Sequence, residues 1–149
     1  MPISVGKPRS FPAVTAPLRA IVTATLALEL LRPGEIALVL TDDATSRALN
    51  RRWRRIDRAT DVLSFDYGTR AGRVSGDLVV SLDRLGAQAK RFRVTPGHEL
   101  ARLVIHGTLH LTGHDHHAAG ERRRMRALER KALAESRVPV AALSRALPR

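Results

Sequence analysis

Histidines stand at positions 106, 110 and 116 in the run His106-Gly107-Thr108-Leu109-His110-Leu111-Thr112-Gly113-His114-Asp115-His116, a spacing of H-x-x-x-H-x-x-x-x-x-H. Residues four apart lie one above the other on an α-helix, so His106 and His110 would present two imidazoles toward one point. Gly113 falls where a helix takes its left-handed cap, and a chain reversal there would return His116 as a third ligand. Three neutral imidazoles leave a tetrahedral zinc with one open position, the arrangement of catalytic rather than structural sites. Such an ion lowers the pKa of bound water far below its value in bulk, toward about 7, which supplies hydroxide at neutral pH. The expected cofactor is one Zn2+ per chain, held by His106, His110 and His116.

The same spacing fits H-E-x-x-H-x-x-G-x-x-H, the pattern of metalloproteases in which a glutamate after the first histidine is the general base. Gly107 stands in that place, so the metal geometry is kept and the proteolytic base is not. Met125 falls inside a helical pattern, which leaves no Met-turn. A lone histidine on an apolar helix is ordinarily a core or surface residue; three around a glycine favour a metal site. Asp115, wedged between His114 and His116, suits a partner that orients an imidazole better than it suits a base. His98, two turns upstream of His106, and His117 read as surface residues.

Arginine is the second chemical signal. The 149 residues carry 26 Lys+Arg against 14 Asp+Glu, a net charge of +12, and nearly all the cations are arginine. Arginine pairs with phosphate through two parallel hydrogen bonds and stacks on bases, so the balance favours a nucleic-acid partner over a soluble basic face. Arg51, Arg52, Arg54, Arg55 and Arg58 crowd one stretch, offset only by Asp57. There are no cysteines, which excludes disulfides, iron–sulfur clusters and thiolate zinc sites and fits a reducing cytoplasm. The apolar run from Leu18 to Leu31 carries Arg19 and Glu29 and is too short for a bilayer, so it reads as a core helix of a soluble protein.

The elements that must position these groups are legible in part. One domain over residues 1–149 is expected, large enough for a core without staples. Its class is α+β: a single small mixed sheet of about four strands packed with five or so helices, the metal site on a helix-plus-loop near the C-terminal third. Met1 to Ala16 reads as a loose lead-in with a short edge strand near Ile3. Pro17 to Arg32 reads as a helix with proline in its first turn, stopped by Pro33-Gly34. Strands are expected at Glu35–Thr41, Asp61–Asp66 and Asp77–Leu82, with a turn-rich connection from Gly68 to Gly76 in which Gly72 and Gly76 suggest a hairpin-like return and so at least one antiparallel pair. A helix over Ala44–Trp53 would place Leu49 and Trp53 on one face. Asp77 reads as a capping carboxylate at a strand start, and Ser64 as a serine bonded to backbone or facing the cleft. Ser81-Leu82-Asp83 opens a helix to Phe92, and Thr95-Pro96 caps and starts the histidine helix. Ala118 to Glu135 is a basic amphipathic helix on Met125, Leu128, Ala132 and Leu133, and Val138 to Arg149 a frayed tail.

At the histidine run the sequence resembles the YbeY-type metal-dependent endoribonucleases and rRNA maturation factors, whose signature reads H-G-x-L-H-L-x-G-Y-D-H; only His114 departs, where the family has tyrosine. Asp57 to Phe65, D-R-A-T-D-V-L-S-F, matches the family's D-K-P-T-D-V-L-S-F, and Gly76 to Ser81 reads G-D-L-V-V-S. The resemblance spans Glu35 to Leu133. It implies cleavage of single-stranded RNA, 16S rRNA 3′-end maturation and ribosome quality control, with rRNA and the small ribosomal subunit as partners and no membrane. By that resemblance Arg54 is the residue that steadies the scissile phosphate, unless it only pairs with Asp57 or Asp61. Arg51, Arg52, Arg55 and Arg58 would contact phosphates. His114 could add a proton donor, a fourth nitrogen near the metal, or nothing. Two other classes compete: a metzincin-like metalloprotease, and a non-catalytic ribosome-binding module whose metal fastens a loop.

Overall fold

The computed structural model describes residues 3–6, 12–56, 58, 60–114 and 119–147. In chain order these form β1 (Ile3–Gly6), α1 (Pro12–Ala27), β2 (Arg32–Thr41), α2 (Asp43–Arg54), β3 (Val62–Arg70), β4 (Arg73–Ser81), α3 (Leu82–Phe92), α4 (Pro96–Leu111), α5 (Ala119–Ser136) and α6 (Val140–Ala146). One mixed sheet runs β1-β2-β4-β3, with β1, β2 and β4 parallel and β3 antiparallel to β4. Its body is the trio β2, β4 and β3, and the four-residue β1 extends it along β2. The α+β class read from the sequence holds.

The first helix begins earlier than the sequence suggests. Pro17 lies inside α1, and Pro12 opens it. The reason is the apolar stripe: Val14, Leu18, Ile21, Val22 and Leu26 are all buried at helical spacing, each contributing about 1.5–3 kcal/mol over its exposed state. That outweighs the single backbone bond that Pro17 forgoes near the helix start. The helix also ends sooner, with Leu30 at φ 58 and Leu31 donating back to the Leu26 carbonyl. Pro33 and Gly34 are therefore part of β2 rather than a stop.

The connection from Gly68 to Gly76 makes the hairpin-like return that its glycines suggest, but most of it is strand. β3 and β4 run on to a two-residue turn, Ala71-Gly72, both at positive φ, the conformation whose twist matches the flanking strands. Register slips between Asp66 and Gly68, where Gly68 takes φ 103. Asp77 is consequently not at a strand start: it sits inside β4, paired in register with Phe65, and accepts a 2.6 Å hydrogen bond from the Tyr67 hydroxyl.

Ile36, Leu38 and Leu40 of β2 and Val74, Leu78 and Val80 of β4 meet α1 and α4 in one core, and α5 packs across both helices. Within the stretch expected to fray, the described residues 138–147 include a helix: α6 docks on the start of α4, where Leu143 is fully buried. Gly97 makes the close approach possible, since a Cβ there would fall 2.2 Å from the Val140 carbonyl oxygen. Among the described residues no helix is long and apolar enough to cross a membrane.

Candidate metal centre

Helix α4 starts as the sequence dictates, with the Thr95 hydroxyl accepting from the His98 amide and Pro96 in the first turn. Gly107 is its contact with the sheet: a Cβ there would meet Leu78 Cδ2 at 2.9 Å, Val62 Cγ2 at 3.2 Å and Ser64 Oγ at 3.3 Å. The position that carries a protease's base thus faces a packed wall with no room for a carboxylate. With Gly107 pressed inward, its neighbours His106 and His110 open into a cavity beside β3.

The two Nε2 atoms lie 3.0 Å apart, with ring centroids 4.6 Å apart and the planes at 71°. A tetrahedral zinc with bonds of 2.0–2.1 Å separates two nitrogen ligands by roughly 3.3 Å, so the pair fits such an ion with a small adjustment. The other nitrogen of His106, Nδ1, is 2.8 Å from Oε2 of Glu129 on α5. That carboxylate calls for a proton on Nδ1 and leaves the Nε2 lone pair facing its neighbour, the arrangement found behind histidine ligands. Two of the three expected ligands are therefore brought together. His116, the third, and with it Asp115 and His117, lies outside the described residues; among the described residues no group of three His, Cys, Asp or Glu gathers as a metal set.

The sequence reading missed Glu129. A signal existed: Glu121, Met125 and Glu129 recur every four residues on α5, and Met125 is buried. Acidic residues on the stripe that periodicity reserves for the core need partners, and both find histidines.

The cavity holding His106 and His110 has a volume of about 690 Å3 and is also lined by Arg54, Ile56, Asp61, Ser64 and Asp66. A slightly larger hollow, about 800 Å3, lies at the far end of the hairpin around Tyr67, Arg70 and Arg73, and no histidine lines it. Arg54 reaches over the edge strand, donating from Nη2 to the Ser64 carbonyl, with its guanidinium 5.5 Å from the centre of the Phe65 ring. It does not pair with Asp61, whose carboxylate accepts from the Val62 amide and Gln88; Asp57 lies outside the described residues. Ser64 fills both roles foreseen for it, lining the cavity and donating to the Gly107 carbonyl at 3.2 Å. Arg51, Arg52, Arg55 and Arg58 are exposed around the C-terminal end of α2, where Arg55 takes the left-handed cap at φ 58.

His114 is taken up elsewhere. Nδ1 faces Glu121 of α5 at 2.8 Å, and Nε2 faces Glu29 just past α1. Burial works against a charge on this ring, but hydrogen bonds to Glu121 and Glu29 outweigh it and raise the pKa above 6.5. With both nitrogens on carboxylates, His114 is a tie between helices rather than a fourth nitrogen for the metal. His98 is half-buried rather than a plain surface residue, and its Nδ1 is enclosed without a hydrogen-bond partner.

Comparison with known proteins falls on this same region. The family model described as endoribonuclease YbeY matches residues 11–137. Proteins named endoribonuclease YbeY are similar at 48% identity over 106 residues in Myxococcus xanthus, 40% over 114 in Nitrobacter winogradskyi and 43% over 115 in Azorhizobium caulinodans. These stretches cover 68%, 71% and 74% of this chain, and 36%, 60% and 72% of the respective relatives. The chain thus spans less than two thirds of the first two. A solution structure from Thermotoga maritima shares the fold at a TM-score of 0.63 and 24% identity, over 93% of this chain and 95% of that one.

Proposed function

Because the chain belongs to the endoribonuclease YbeY family, we propose that it is a zinc-dependent endoribonuclease that cuts single-stranded RNA in the cytoplasm, acting in 16S rRNA 3′-end maturation and ribosome quality control. The observation that carries this reading is the convergence of the His106 and His110 Nε2 atoms at 3.0 Å, with Glu129 behind one of them and Arg54 across the same cavity.

His106, His110 and His116 would hold the ion. Zinc on imidazoles supplies Lewis-acid chemistry, polarising a phosphoryl oxygen and making water acidic enough to act at neutral pH. The chain's own groups do the rest. Glu129 keeps the proton on Nδ1 of His106 and fixes the ring. Arg54 spends one N–H on the Ser64 carbonyl and has others to offer the non-bridging oxygens of a phosphate as charge grows there. Arg51, Arg52, Arg55 and Arg58 supply sequence-independent attraction for the backbone on either side.

The test is metal content measured together with cleavage of a labelled RNA in single-stranded and duplex form. Stoichiometric zinc, cutting of the single strand alone and loss of cutting on chelation are expected. RNA binding without metal-dependent cleavage would leave a binding module, and chelator-sensitive casein turnover would return the protease.

A further inference from the structure

We propose that Trp53 is a stacking platform for an unpaired base of the RNA strand, beside the cavity that takes the phosphate, and that this contact contributes to the preference for single strands. The inference rests on the RNA reading above and adds a base-binding site to it.

Four observations point to the indole. Ser46, Asn50 and Trp53 follow one another at four and three residues, which places them on one stripe of α2. Ser46 and Asn50 are buried and bonded to the backbone at Thr60 and Arg58, yet Trp53 is 61% exposed. The inward stripe has run out past the body of the protein, so packing does not account for a tryptophan at its end. Second, the Arg52 guanidinium lies over the indole, 5.1 Å from the ring centre. Such a cation on the ring draws phosphate toward the same spot while much of the indole stays open to solvent. Third, the next residue is Arg54, which reaches into the cavity of His106 and His110. After the left-handed Arg55, Ile56 joins the same lining and is 42% exposed. The indole therefore sits on the turn that builds the rim of the candidate site. Fourth, the surrounding stretch is crowded with arginines, Arg51, Arg52, Arg54, Arg55 and Arg58, offset only by Asp57. An aromatic face set among arginines is the composition of surfaces that track a single strand, with the cations on phosphates and the ring on a base. A partner protein docking on an exposed tryptophan would meet this excess of positive charge, which favours the polyanion.

Strand preference follows from what each nucleic acid exposes. A duplex keeps its bases stacked within the helix and offers only groove edges, whereas an unpaired base presents its flat face. One stacked base contributes about 1–3 kcal/mol, which converts to roughly 5- to 150-fold in affinity.

Trp53 is the sole tryptophan of the chain, so intrinsic emission reports on this ring alone. The full-length protein is titrated with a cleavage-resistant, phosphorothioate-linked oligoadenylate, with the same strand in a duplex, and with an abasic oligomer of equal charge. Binding is followed in parallel by the anisotropy of a label on the strand. The single strand should quench the emission and the abasic oligomer should not. Trp53→Ala should bind the single strand about fivefold or more weakly, with its affinity for the abasic oligomer unchanged, while Trp53→Phe recovers most of the loss. Since the side chain is largely exposed, both variants should melt within a few degrees of the parent. A strand that binds by anisotropy while Trp53 stays silent, or that binds Trp53→Ala as tightly as the parent, overturns the platform alone. A protein that binds no RNA by anisotropy overturns the RNA reading and the platform with it.

Discussion

Replacing Glu129 with alanine tests the metal centre from behind. The substitution removes the carboxylate 2.8 Å from Nδ1 of His106 and leaves the ring to be aimed by α4 alone. The two side chains are 21% and 11% exposed, so the bond is shielded on most sides but not fully dry. A hydrogen bond with a charged partner contributes about 1.5–3 kcal/mol, and partial exposure argues for the lower half of that range. About 1.5–2.2 kcal/mol corresponds to roughly 10- to 40-fold, within the span of about 10- to 100-fold typical of residues that orient a histidine ligand. Zinc affinity should fall by that factor in competition with a chromophoric chelator. Glu129→Gln keeps the shape and one acceptor oxygen but not the charge, so its loss should be intermediate. Cleavage by both variants should recover in excess zinc, because the ligands and Arg54 are untouched. An alanine variant that folds and holds zinc within about twofold of the parent would refute the assignment, since the ring would then need no carboxylate to aim it.

Two further outcomes are expected. Arg54→Ala should lower the single-turnover rate of RNA cleavage by about 100- to 1,000-fold, the usual effect of losing one donor to a developing oxyanion, with little change in melting temperature because the side chain is exposed; equal rates would remove it from the mechanism. Gly97→Ala should lower the melting temperature and expose α6 to limited proteolysis, because the new Cβ would fall 2.2 Å and 2.5 Å from backbone atoms of Val140 and Ser144. Breaking the Gly97–Ser144 bond and lifting Leu143 should cost about 2–4 kcal/mol, and an unchanged melt would show that α6 contributes nothing by docking.

The parts of the site that could be read from the sequence are those built by one element. Thr95, Pro96, His106 and His110 share a helix, and its cap, start and four-residue spacing are local properties. Glu129 is 23 residues further on, and what joins it to His106 is the packing of α5 on α4, which no local pattern encodes. The misplaced boundaries have a related cause. Pro17 and the glycines at 68 and 76 carry strong local signals for ends and turns, but Val14 on one side and the β3–β4 register on the other extend the elements through them. Gly76 in particular is needed for closeness rather than a turn, as a Cβ there would meet Phe65 O at 2.5 Å and Leu111 Cδ2 at 2.8 Å. The segment from Val140 to Ala146 shows the converse: α6 has too few turns to leave a pattern, and the buried Leu143, the close approach over Gly97 and the Gly97–Ser144 hydrogen bond hold it.

The charge distribution makes the two proposed ligands compatible. A chain of net charge +12 would repel a zinc ion if its field acted evenly, yet the same chain must draw in RNA. On α5 the signs are sorted by face: Glu121 and Glu129 point inward to His114 and His106, while Arg122, Arg123, Arg124, Arg126 and Arg130 are exposed. In the cavity, Asp61 and Asp66 stand near the histidine pair, and the arginines cluster at the end of α2. Salt at physiological strength screens exposed charges beyond about 8 Å, whereas partly buried pairs keep their strength. The carboxylates therefore set the potential at the imidazoles, and the arginines set it at the rim. Raising the salt concentration should weaken RNA binding steeply while leaving zinc affinity nearly unchanged, and a parallel loss of both would mean that the two sites feel one common field.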